Sequence, residues 1–133
     1  MVSFLIQCNH ENDNPCDGIA PPNEWGEFVV LNNEGISLVG KDRIYHPDSV
    51  NLFSLNQYVH WNILYDSVFV FDYSSFISSD VYYLRFNSTD IDTITIKFKL
   101  IEDICFTYQR IDTFSVNGTI IENNEGYFRL IKK

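Results

Sequence analysis

IDTITIKFKLI, at residues 91 to 101, decides the fold. Ile94, Ile96, Phe98 and Leu100 fall on one side of an extended chain, and Thr93, Thr95, Lys97 and Lys99 on the other. A period of two belongs to a strand. A dry face backed by a wet one belongs to a half-buried antiparallel strand. One strand cannot stand alone, and the chain supplies partners in both directions. Downstream lie apolar runs at 104 to 114 and 127 to 131; upstream lie 81 to 87, 68 to 71 and 2 to 7. Within 53 to 65 the odd positions Phe53, Leu55, Val59, Trp61, Ile63 and Tyr65 share a face. Thirteen residues is long for a single strand, so a bend or bulge is expected there.

Turn signals separate these runs. Asn117-Gly118 between Val116 and Thr119 is the strongest short hairpin signal. Asn32-Asn33-Glu34-Gly35 joins Phe28-Val29-Val30-Leu31 to Ile36-Ser37-Leu38-Val39, with Gly35 suited to the left-handed position. Asp66-Ser67 and Glu122-Asn123-Asn124-Glu125-Gly126 mark two more turns. Only 48 to 58 offers a competing helix, capped by Asp48 or Ser49. The chain has one alanine, Ala20, while Val, Ile, Thr, Tyr and Phe abound. At 133 residues, with no repeat or linker, these features predict a single all-β domain. Its expected form is an antiparallel sandwich or partly open barrel of about eight to ten short strands.

Charge is uneven. Residues 1 to 84 hold eleven acids against Lys41 and Arg43, and 85 to 133 hold seven acids against seven bases, so the net −9 is regional. Clustered carboxylates attract basic partners and repel nucleic acid. Lys97, Lys99, Arg85 and Arg110, near Tyr108 and Phe106, are too few for a nucleic-acid footprint and read as solvating charges. No apolar run of 18 residues exists, so no membrane helix is expected. The opening MVSFLIQC has no basic lead, and Gln7 stands where a lipoprotein signal wants a small residue, so neither export signal is read. Cys8, Cys16 and Cys105 are odd in number, which favours free buried thiols in a reducing cytoplasm; a Cys8–Cys16 bridge is the alternative. Asn87-Ser88-Thr89 and Asn117-Gly118-Thr119 fit the glycosylation pattern but read as turns.

Metal and catalytic patterns are weak. Asp13, Asp17, Gly18 and Glu24 match four positions of a calcium loop, but Pro15 takes a ligand position and Pro21-Pro22 breaks the flanking helix. Cys8, His10 and Cys16, with His46 or His60, lack zinc-finger spacing. There is no Gly-x-Ser-x-Gly elbow and no phosphate loop. Asp90/Asp92 and Glu102/Asp103 read as solvated turn carboxylates. No cofactor and no enzyme activity are expected.

An interaction surface remains. Glu11, Asp13, Asp17 and Glu24 lie in the long irregular stretch 9 to 24, and Trp25 follows it directly. Asp42 and Tyr45, Asp48, Tyr58 and Asp66 complete the expected partner-binding set. Aromatics anchor interfaces while charge steers approach. Trp61 and Tyr65 are assigned to the core. The function expected first is a small cytoplasmic inhibitor of a basic protein, such as an immunity protein covering a nuclease toxin, whose phosphate cleft it would mimic. The alternative is a carbohydrate- or small-ligand-binding β-sandwich, which a groove lined by exposed Tyr and Trp would favour. A small enzyme on a β scaffold ranks third.

Overall fold

The computed structural model describes residues 15 to 132. They form nine strands: β1 (Trp25–Leu31), β2 (Asn51–Ser54), β3 (Trp61–Leu64), β4 (Val68–Asp72), β5 (Val81–Arg85), β6 (Ile91–Glu102), β7 (Thr107–Val116), β8 (Thr119–Ile121) and β9 (Tyr127–Ile131). One sheet runs β3-β4-β1-β9 and the other β2-β5-β6-β7-β8. The two pack as a β-sandwich. One pairing departs from the antiparallel expectation: β1 and β9 run parallel, with Glu27 opposite Tyr127 and Leu31 opposite Ile131. The strand expected at 2 to 7 lies outside the described residues.

Aromatic rings fill the space between the sheets. Phe28 stacks on Phe69 at 4.5 Å, Phe114 on Phe128 at 4.2 Å and Phe76 on Tyr82 at 4.1 Å. All six are buried, and each such ring taken from water contributes roughly 2–3 kcal/mol. Gly26 is needed beneath this layer, since a Cβ there would lie 2.5 Å from the Phe71 ring. Burial pushes the Tyr82 phenol up to about 12, helped by the Asp80 carboxylate beside it. Asp80 itself is buried and accepts from Asn56 Nδ2 (3.1 Å) and Gln57 Nε2 (2.9 Å).

The alternation at 91 to 101 holds as far as Phe98, which packs against the core between exposed Lys97 and Lys99. The register shifts in a bulge between Lys97 and Phe98, and Asp112 on β7 is passed over. Past Phe98 the strand leaves the core, so Leu100 is exposed, against the expectation. Thr113 borders the bulge, and its buried Oγ1 has no hydrogen-bond partner. Thr113→Val therefore stabilises the fold by about 1 kcal/mol, read by chemical denaturation. A loss of stability on this substitution would show that the hydroxyl is satisfied in solution.

The stripe at 53 to 65 divides between two sheets. β2 pairs with β5, and β3 pairs with β4. Leu55 lies in the connection and is exposed. Tyr65 was assigned to the core, yet it sits in the β3–β4 turn at φ 53 and is 91% exposed. The left-handed backbone there swings its ring off the strand face. Trp61 does pack against the core. The helix weighed at 48 to 58 is replaced by a 3-10 turn, Pro47–Ser49, followed by β2.

Turns follow their chemistry. Asn117 (φ 51) and Gly118 (φ 85) close the β7–β8 hairpin. Gly35 adopts φ 81 as expected, but the second arm of its hairpin makes only a bridge, Leu31 to Ser37. The amides of both glycosylation-type triplets are engaged: Asn87 Oδ1 accepts from Thr89 N and Asp90 N, and Asn117 Oδ1 accepts from Thr93 N.

The cysteine expectation is corrected. Cys16 and Cys105 form a disulfide across 89 positions, with Cα atoms 5.3 Å apart. They are not free thiols, and Cys16 is not bonded to Cys8, which lies outside the described residues. The bond ties the segment before β1 to the β6–β7 turn. No helix among the described residues is long and apolar enough to cross a membrane.

Candidate functional site

The segment before β1 is anchored at four points. Besides the disulfide, Arg110 Nη1 donates to Asn23 O at 2.6 Å. Gln109 N donates to Glu24 Oε2 at 3.1 Å, and Tyr73 N to Glu24 O at 2.8 Å. These bonds deliver Trp25 to one end of the sandwich, at the start of β1. Gly26 and Phe28 alternate inward, so Trp25 points outward and is 59% exposed.

Beside it lies an open groove of about 420 Å³, lined by Trp25, Tyr58, His60, Trp61, Asn62, Leu64, Val70, Phe71 and Asp72. Strand register assembles it. Trp25 is opposite Asp72, and Asn62 is opposite Val70. Tyr58 is 75% exposed, and His60 meets its ring edge-on at 4.6 Å. Asp72 N donates to His60 O at 2.9 Å, tying the β2–β3 connection to β4. Asp72 Oδ1 accepts from Ser74 N and keeps a second carboxylate oxygen for other donors. Two water-facing rings thus stand beside an amide, an imidazole and a carboxylate. An aromatic face with hydrogen-bonding groups at its margin suits a ligand that is apolar on one side and polar at its rim.

The residues expected to bind a partner fall into separate places. Glu24, Trp25 and Tyr58 lie at the groove end, and Asp17, in the turn held by the disulfide, is at that end too. Asp66 lies in the β3–β4 turn, beyond Val68 and Leu64 and so at the opposite end. Asp42 sits in the exposed loop whose ends bridge Val39 to Tyr45. Asp48 follows in the 3-10 turn, with its N–H donating to His46 Nδ1. Tyr45 is half-buried: its ring packs at a tilt against Phe86, centres 4.6 Å apart, and its hydroxyl donates to Asp90 Oδ2 at 2.6 Å. Glu11 and Asp13 lie outside the described residues. The carboxylates therefore occupy both ends of the sandwich rather than one side. Asn62, His60 and Asp72 were not expected at a site. Outward alternation on β3 and β4 was the signal available for Asn62 and Asp72.

The opposite end holds a charge cluster. Lys132 Nζ reaches Asp90 Oδ1 (2.9 Å) and Asp92 Oδ2 (3.1 Å) and lies 4.6 Å from the Phe86 ring centre. Burial raises the Asp90 carboxyl, but the Tyr45 hydroxyl and Lys132 outweigh it and hold the group below its ordinary value. Burial lowers Lys132, and its bonds to Asp90 and Asp92 outweigh that, so its pKa is raised. With every member partnered, this cluster braces the end of β9 and is not assigned to binding.

No group of three or more metal-ligating side chains gathers among the described residues. Cys16, offered above as a zinc ligand, is engaged in the disulfide. Comparison with family models, with curated proteins and with solved structures finds no match.

Proposed function

We propose that this protein is a non-enzymatic binding module whose groove at Trp25 and Tyr58 takes a sugar ring. One observation carries the reading: two exposed aromatic rings share a groove with Asn62, His60 and Asp72. The apolar face of a pyranose stacks on an indole, while its hydroxyls exchange hydrogen bonds with amide and carboxylate at the rim. A ring this large left in water is informative, because an exposed apolar cluster rimmed by polar groups marks a contact site. The lining holds one carboxylate, Asp72, which suits binding better than paired acid–base hydrolysis.

The disulfide supports a compartment as well. Cross-links persist where the surroundings oxidise thiols. We infer that the protein works there rather than in the cytoplasm expected from its cysteine count. This removes one objection to a sugar ligand.

Trp25→Ala weakens ligand binding roughly thirtyfold, or about 2 kcal/mol, as measured by calorimetry against an oligosaccharide panel. Intrinsic fluorescence shifts on ligand addition, and the shift shrinks in Trp25→Phe to the part contributed by Trp61, which also lines the groove. Full affinity retained by Trp25→Ala would end this reading.

The inhibitor of a basic protein is the second reading. It draws support from Asp17, Glu24 and Asp72 lying at the same end as Trp25 and Tyr58. It requires an association rate that falls steeply with salt. Binding to a neutral oligosaccharide that is indifferent to salt favours the sugar.

A further inference from the structure

We propose that the hollow on the other side of Trp25 receives a carboxylate, so that the preferred ligand is an acidic, uronate-bearing sugar; this rests on the sugar reading above. That hollow has about 480 Å³ and is lined in part by Asn23, Trp25, Lys99, Arg110 and Glu125. Because Trp25 lines both hollows, a chain of two or three sugar rings can meet the indole and reach into each.

The charge here runs against the rest of the molecule. The chain carries −9 overall, yet this lining brings Lys99 and Arg110 together against the single carboxylate of Glu125. Lys99 and Arg110 are neighbours across the β6–β7 pairing, so the register itself builds the cationic spot. Neither forms an ion pair among the described residues. Arg110 Nη1 is held by the neutral acceptors Asn23 O (2.6 Å) and Tyr73 OH (3.1 Å), and the guanidinium lies 4.6 Å over the Tyr108 ring. The group is thus fixed in place without having its charge matched, and it keeps further N–H donors for a planar carboxylate. Glu24, whose carboxylate accepts from Gln109 N next to Arg110, is the other nearby acid; more distant ones count for little, since potentials fade over about 8 Å at physiological ionic strength.

The test uses the full chain and calorimetry with glucuronate- and galacturonate-containing trisaccharides, each beside its methyl ester. The ester keeps the ring and removes the charge. At least one acid binds about fivefold tighter than its ester, the scale of one exposed ion pair. In Lys99→Gln the ratio of acid to ester affinity falls, with Arg110 left as the remaining cation. Lys99 is an exposed β6 residue on the wet face, so this variant keeps its fold. Equal binding of acid and ester overturns the acidic ligand and leaves the sugar reading standing. A preference unchanged in Lys99→Gln overturns the assigned site. Failure of every acid, ester and neutral sugar to bind removes both proposals together.

Discussion

Lys132→Met lowers folding stability at pH 7 by about 3 kcal/mol, because it strands two half-buried carboxylates without their shared cation. The side chains of Asp90 and Asp92 retain 29% and 12% exposure, so water does little to replace the ammonium. Methionine keeps the apolar stem, so the loss reports charge rather than packing. The pH dependence gives a second signature. Asp90 titrates below its ordinary 3.8 in the fold, so the stability it contributes is present above that value and is lost as pH falls through the lowered one. In the variant the two carboxylates repel, and protonation relieves them. The gap between the two proteins therefore narrows below about pH 4, as read by urea denaturation from pH 7 to 3. Lys132 titrates above 10.5, so its contribution is complete below that value and survives to alkaline pH. A gap that stays constant down to pH 3 would refute the assignment.

Removing the cross-link is expected to cost as much. The paired change Cys16→Ser and Cys105→Ser releases a loop spanning 89 positions, for about 3 kcal/mol of lost stability and a fall in Tm of roughly 10 °C. Reductant lowers the Tm of the unaltered protein to the same point and leaves the serine variant unmoved. Hydrogen exchange quickens in 15 to 24, since that segment then relies on the bonds from Arg110, Gln109 and Tyr73. Trp25 follows directly, so ligand affinity falls as well. A Tm indifferent to reductant would mean that the bond is not formed in solution, and the inferred compartment would go with it.

Much of the fold was written locally. Alternation around Ile94 and Ile96 marked β6, Asn117-Gly118 marked the β7–β8 turn, and Tyr127 to Ile131 marked β9, because these signals act within a few residues. What failed was non-local. Parity along 53 to 65 shows which residues share a face, but not that β2 and β3 join different sheets. Nothing near Cys16 points to Cys105, and nothing near Trp25 points to the parallel partner β9. The groove was half legible. Trp25 and Tyr58 were named from the sequence, whereas Asp72 and Asn62 join them only through pairing of β1 and β3 with β4. Tyr45 was named for the same surface, but a hydroxyl partner 45 positions away, Asp90, draws it into the brace.

The parallel contact between β1 and β9 also governs when this protein can acquire its shape. Glu27 leaves the ribosome about a hundred residues before Tyr127 is made, so one flank of β1 stays open until β9 emerges. Pairings between such remote segments close slowly, after a large loss of chain entropy. Folding is thus postponed until Tyr127 to Ile131 have been made, and chains truncated before Tyr127 should stay unfolded.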